Sequence, residues 1–98
     1  MGFEPQVISL TRGERVEITF QNDGRTLHNF NIRELAADAI ESHSSGPLSG
    51  DENQLYVGAD AGLVGTLSFV PQTAGSFTFY CTIQGHEGLG MQGTLTVE

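Results

Sequence analysis

Apolar and polar residues alternate with a period of two along much of the chain. In Arg15-Val-Glu-Ile-Thr-Phe20, Val16, Ile18 and Phe20 fall on one side and Arg15, Glu17 and Thr19 on the other, the pattern of a half-buried strand. Gln6-Val-Ile-Ser-Leu10 reads the same way and is separated from it by Thr11-Arg-Gly-Glu14. After the turn signal Gln21-Asn-Asp-Gly24, Leu27-His-Asn-Phe-Asn-Ile32 is a third strand with His28, Phe30 and Ile32 on its inward face. A weak edge strand is expected around Leu55-Tyr-Val57. Gly65 to Val70 and Ser76 to Cys81 are two more strands about the turn Pro71-Gln-Thr-Ala-Gly75, and Thr94 to Val97 is the last. Phe77, Phe79 and Cys81 share one face, as do Leu95 and Val97.

One segment departs from this period. Glu34-Leu-Ala-Ala-Asp-Ala-Ile-Glu41 consists of good helix formers with Leu35, Ala39 and Ile40 on one side, which predicts a short helix. Ser44 to Asn53 is a polar, Gly/Pro-containing loop. About seven short strands with a turn roughly every ten residues predict an all-β Greek-key sandwich, with a short helix/loop insertion around 33–62. No repeat or linker interrupts the pattern, so residues 1–98 are read as one domain.

Composition narrows the function. The chain of 98 residues is 38% hydrophobic with no apolar run long enough to span a membrane as a helix, so no membrane insertion is expected of it. It has no charged n-region followed by an apolar h-region, and Met1-Gly2 reads as the start of a fragment whose natural signal or anchor lies outside it. Twelve acidic residues against four arginines, with no lysine, give a net charge of −8. Such a surface repels nucleic acid and anionic membranes and favours basic partners. The single Cys81 excludes an internal disulfide and any site that needs two thiolates.

That cysteine is the centre of the candidate chemistry. Taken alone it reads as a small buried hydrophobe, but His86 and Met91 follow it at C-x4-H-x4-M spacing. Thiolate and thioether suit Cu(I), imidazole suits Cu(II), and two histidines, a cysteine and a weak methionine form the donor set of a blue copper centre. Gly85, Gly88, Gly90 and Gly93 give the intervening loop the backbone freedom to wrap donors round one ion. A second histidine must come from elsewhere. His28 stands on an inward strand face with Asn29 beside it; a histidine so placed is often an ordinary core residue. His43 lies in a Ser/Gly loop and is read as solvated. Met91 has core packing as its alternative role.

The segments Leu27-His-Asn-Phe30 and Phe77 to Val97 resemble the cupredoxins, the small blue (type 1) copper proteins. His28-Asn29, Cys81-Thr82, Gly85-His86 and Gly90-Met91-Gln92-Gly93 match the family's motifs, and the loop spacing is similar to that of auracyanins and rusticyanins and close to that of azurins. The resemblance implies one copper ion held by His28, Cys81, His86 and Met91, with Asn29 and Thr82 bonding the two ligand segments together. It implies a function as well: single electrons shuttled between redox partners by Cu(I)/Cu(II) cycling, without enzymatic activity. Basic or c-type cytochrome-like partners, a monomeric state and a location outside the cytoplasm go with it. In the resembling family the loop histidine emerges through an apolar patch, to which Leu89 and Leu27 would contribute here, with Glu87 at the rim.

Three other readings compete. A copper-storage or delivery protein tends to carry exposed Met/His clusters, which this chain lacks. A type 1 domain cut from a larger copper oxidoreductase would carry a histidine beside the cysteine, whereas Tyr80 and Thr82 flank Cys81. A metal-free Cys/His nucleophile lacks a third orienting group.

Overall fold

The computed structural model describes residues 3, 6–45, 55–81 and 92–98. Eight strands occur among them: β1 (Val7–Leu10), β2 (Val16–Gln21), β3 (His28–Ile32), β4 (Ala37–His43), β5 (Tyr56–Ala59), β6 (Val64–Pro71), β7 (Gly75–Tyr80) and β8 (Gln92–Val97). One sheet runs β1-β8-β7-β3-β5 and the other β2-β6-β4, the all-β sandwich of Greek-key type that the alternation predicts. The strand ladders are antiparallel except β1 with β8, and the isolated bridge of Ser45 with Ala59 is parallel too. The consecutive strands β1 and β2 belong to different sheets, so Thr11–Glu14 joins two layers rather than closing a hairpin.

The expected helix over 34–41 is not formed; that stretch contains most of β4. Its chain is bonded to β6, with a register shift between Asp38 and Glu41, and Glu34 and Ala39 hold positive φ angles of 63° and 53°. Opposite Val70 to Ser68, β4 spends one residue more than β6, a bulge that turns its strand. Helix propensity here is outweighed by the open edge of β6, whose backbone groups need partners. Leu35 still enters the core, and Ile40 packs half-buried against it, so the apolar positions are used in an extended chain. The stretch read as an insertion therefore supplies one strand to each sheet. Leu55-Tyr-Val57 does mark an edge strand, β5. His43, read as a loop residue, ends β4 and is exposed.

A cluster of phenylalanines fills the space between the sheets. Phe30 of β3 and Phe79 of β7 stack at 5.0 Å between centroids, and Phe3 meets both edge-on at 5.7 and 5.2 Å. Phe20 closes the cluster from the opposite sheet, 6.3 Å from Phe30. Gly93, read as a loop residue, lies in β8 opposite Phe79. A side chain there would meet the Phe79 ring at 2.2 Å, so this glycine makes room for the aromatic.

The layers are joined where β4 ends. Beyond His43 the chain leaves β6 and follows β5: Ser45 N–H donates to the Gly58 carbonyl (2.9 Å), Asp60 N–H donates to Ser45, and the Ser44 hydroxyl accepts from Gly58 N–H (3.0 Å). Gly65 sits in this corner, where an added Cβ would be 2.6 Å from Val57 Cγ2, 2.8 Å from the Gly58 carbonyl and 3.2 Å from that of His43. Two of these neighbours are backbone and cannot swing aside. Gly65→Ala should therefore cost roughly 1–3 kcal/mol, read as a lower urea midpoint. Ala39→Gly should raise the midpoint by roughly 1 kcal/mol, because it relieves a left-handed conformation at the bulge.

Candidate metal centre

Strands β3 and β7 bring two of the expected donors to one place. Among the described residues they pair through Asn31 with Tyr80 and Ile32 with Phe79, and Arg33 N–H donates to the Thr78 carbonyl at 2.9 Å. Continued past Asn31, the register sets Cys81 opposite Phe30 and diagonal to His28, all at inward parity. Phe30 and Phe79 stack on the same face, one pleat further in than His28 and Cys81 respectively. Cys81 is 1% and His28 9% exposed. A thiol and an imidazole held inward on neighbouring strands, walled by aromatics, fit a soft-to-borderline metal such as copper.

The other expected members of the site, Thr82, His86, Glu87, Leu89 and Met91, lie outside the described residues. Among the described residues no group of three or more His, Cys, Asp or Glu side chains gathers as a metal site. His43 is exposed at the far end of β4 from the bulge, and Leu27, next to His28, is half-buried.

The turn before β3 orients His28. Buried Asn22 donates from Nδ2 to the carbonyls of Thr26 and of Ala59, both at 2.8 Å, and its Oδ1 accepts from Gly24 N–H at 2.9 Å. Ala59 is the partner of His28 in the β3–β5 ladder, so one side chain ties the turn to the strand alongside the ligand. Gly24 is thereby laid against the imidazole: a Cβ on it would be 3.0 Å from Nε2 and 3.2 Å from Cδ2 of His28. That edge of the ring faces the turn, which leaves Nδ1 on the opposite edge. Asn22 also exchanges backbone bonds with the 60–63 turn, accepting from Gly62 and donating to Leu63, so the exposed Leu63 and Val64 stand at this end of the sandwich. The motif Asn-Asp-Gly reveals a turn; it does not reveal that the asparagine is buried or that the glycine covers a histidine.

The opposite face of β3 is polar and equally buried. Asn29 and Asn31 are both 0% exposed, with Asn29 opposite Gly58 and Asn31 opposite Tyr56 on one side and Tyr80 on the other. Arg33 continues this face and lays its guanidinium 4.2 Å from the centre of the Tyr80 ring. Asn29 is buried on this face, and its expected partner Thr82 lies outside the described residues. Asn31 was not singled out by sequence, since alternation assigns it to solvent.

Two substitutions test the turn. Asn22→Ala strips three backbone groups of their partner and should cost roughly 2 kcal/mol, measured by urea titration of the metal-free protein. Gly24→Ala should leave that stability nearly unchanged but press on the His28 ring, lowering Cu(II) affinity by about tenfold. Competition titration with a chelator reads the affinity; an unchanged value for Gly24→Ala would mean that the turn does not orient the ligand.

Comparison with known proteins accords with this geometry. The family model of copper-binding proteins of the plastocyanin/azurin family matches residues 1–98. The plastocyanin of Dryopteris crassirhizoma is 37% identical over 98% of this chain and 87% of its own length. The copper-resistant cuproprotein CopI of Rubrivivax gelatinosus is 35% identical over 99% of this chain, which spans 60% of that relative's length. Among solved structures, dithionite-reduced auracyanin of Roseiflexus castenholzii superposes with a TM-score of 0.73 at 19% identity, covering 99% of this chain and 87% of that one, a likeness of fold. The chain belongs to the plastocyanin/azurin family of copper-binding proteins, the cupredoxins.

Proposed function

We propose that this domain, residues 1–98, is a mononuclear type 1 copper protein that carries single electrons between redox partners. The observation that supports it most directly is the burial of His28 and Cys81 at inward parity on neighbouring strands above the Phe30–Phe79 stack. His28, Cys81, His86 and Met91 would hold the ion, which when bound supplies a one-electron Cu(I)/Cu(II) couple. The chain's own part is to hold its donors still. Cys81 directly follows a paired strand, His28 begins one, and the Asn22 turn supports the imidazole from behind, so neither donor has slack to follow a change of oxidation state. Asn29 and Thr82 would bond the ligand segments together. No substrate pocket or catalytic role enters this reading: Tyr80 and Thr82 flank Cys81, and three histidines cannot furnish a second copper centre as well.

By the resemblance, electrons would pass where His86 would emerge, through an apolar patch to which Leu89 and Leu27 would contribute, with Glu87 at its rim. Leu63, exposed at the same end as His28, would extend the patch. A net charge of −8 would steer a basic partner of the c-type cytochrome kind into a short-lived contact. The protein would act as a monomer outside the cytoplasm. A second reading, copper sequestration or delivery, is favoured by the likeness to CopI; slow electron exchange combined with ready copper transfer to a chelator would support it.

Addition of Cu(II) should give an intense thiolate-to-copper band and an EPR signal of small parallel hyperfine splitting. Cys81→Ser should abolish the band, and His28→Ala should weaken binding by roughly 10–100-fold, whereas His43→Ala should change neither. Bleaching by His43→Ala with an intact His28→Ala spectrum would assign the upstream ligand to His43. By electrochemistry, Met91→Gln should lower the potential and Met91→Leu should raise it. For the port, Leu89→Glu should slow stopped-flow exchange with a c-type cytochrome and leave the visible spectrum as it was. A rate indifferent to that change places the port elsewhere, with the Tyr80 side of the Cys81 strand as the next candidate.

A further inference from the structure

The described β3–β7 ladder ends at Asn31, opposite Tyr80. Its Nδ2 donates to Asn29 Oδ1 at 3.0 Å within β3 and to the Tyr80 carbonyl at 3.3 Å on β7. Asn31 and Tyr80 form the last backbone pair of the two strands before His28 and Cys81. One amide group thus spans the fork between the strand that carries the histidine and the strand that carries the cysteine. It also engages the oxygen of Asn29, which sets which way the rest of that amide is turned. On the same residue, Oδ1 is buried without a hydrogen-bond partner among the described residues.

Stability alone does not account for this arrangement. At a position flanked in register by Tyr56 and Tyr80 and wholly excluded from solvent, the cost of the orphan oxygen offsets much of what the two donated bonds contribute. The two bonds are what an apolar side chain could not supply, and both lie within one residue of a proposed ligand or of its neighbour Asn29.

We propose that Asn31 is a positioning residue for the copper centre, its side-chain amide tying Asn29 to the Tyr80 carbonyl and so setting the opening between His28 and Cys81. This rests on the ligand assignment above. Asn31 acts through Asn29 and the peptide that precedes Cys81; it does not touch the metal.

The test is Asn31→Leu, studied both metal-free and loaded with Cu(II). The metal-free variant should unfold near or slightly below the wild-type temperature, since the orphan oxygen has gone but Asn29 Oδ1 and the Tyr80 carbonyl have lost a donor. Loaded, it should bind Cu(II) about tenfold more weakly, with a shifted thiolate band and an altered hyperfine splitting. Asn31→Ala makes the same comparison if the leucine does not fit. Because Asn31 acts through Asn29, the losses in affinity of Asn29→Ala and Asn31→Leu should fall short of additive in the double variant. A variant that loses metal-free stability but keeps wild-type affinity, band and splitting overturns the proposal, as do fully additive losses. Wild-type protein that gives no thiolate band overturns the ligand assignment itself, and the two failures are told apart in the same titration.

Discussion

The junction of β3 with β7 is the constraint on which the site depends. It is brief, two residue pairs, yet it is held from both faces. Inward, Phe30 and Phe79 stack across it, and such a pair contributes about 0.5–1.5 kcal/mol beyond the apolar area it buries. Outward, Asn31 bridges the strands and Arg33 rests on Tyr80. The described ladder ends there, and His28 and Cys81 lie just beyond it. The contacts on either face fix the two strands up to that point. Loss of the stack would shift both donors together, whereas loss of the amide bridge would change the angle between them.

Much of this was legible in the alternation. Val16, Ile18 and Phe20 on β2, and Phe79 with Cys81 at the end of β7, fall where a period of two places them, because one face of each strand is packed and the other is wet. The method loses its grip where both faces are packed. Every residue of β3 is buried, so Asn29 and Asn31 were indistinguishable from solvent-facing positions. Nothing in His-Asn-Phe-Asn-Ile tells that Tyr56 and Tyr80 stand beside the second asparagine. Residues 34–41 failed for a different reason. Their local preference for helix is worth tenths of a kcal/mol per residue, less than what the free edge of β6 offers a strand, and the left-handed Ala39 shows the chain bent to take the offer. The chemistry of the site was legible from donor type and spacing; its supports, Asn22, Gly24 and Asn31, act through burial and contact, which spacing does not encode.

The corner formed by Gly65, Ser44 and Ser45 bears on the site from a distance. β5 is an edge strand, and an edge strand held only by β3 could slide with it. Its backbone is instead shared with the tail of β4 through Gly58, while Asn22 fastens Ala59 to the turn before β3. The strand next to His28 is therefore bound to both sheets, and motion of the imidazole relative to the core would have to break bonds in each. The exposed Arg15–Glu41 ion pair, 3.5 Å apart on the outer strands, adds little by comparison, because both groups remain in water.

Energetics make the polar face of β3 informative. A domain of this size is stable by about 5–15 kcal/mol in total, and one buried carbonyl without a partner costs about 1–3 kcal/mol of that. Asn31 incurs such a cost through Oδ1. Its two donated bonds contribute about 0.5–1.5 kcal/mol each, so they roughly offset the orphan. The bonds do have a direction that an apolar contact lacks. Two tyrosines could pack against a leucine in several rotations, but an amide that must reach Asn29 and the Tyr80 carbonyl at once has one orientation. Where stabilisation is nearly neutral and orientation is unique, what the residue contributes is geometry, and the geometry it determines is that of the fork between His28 and Cys81.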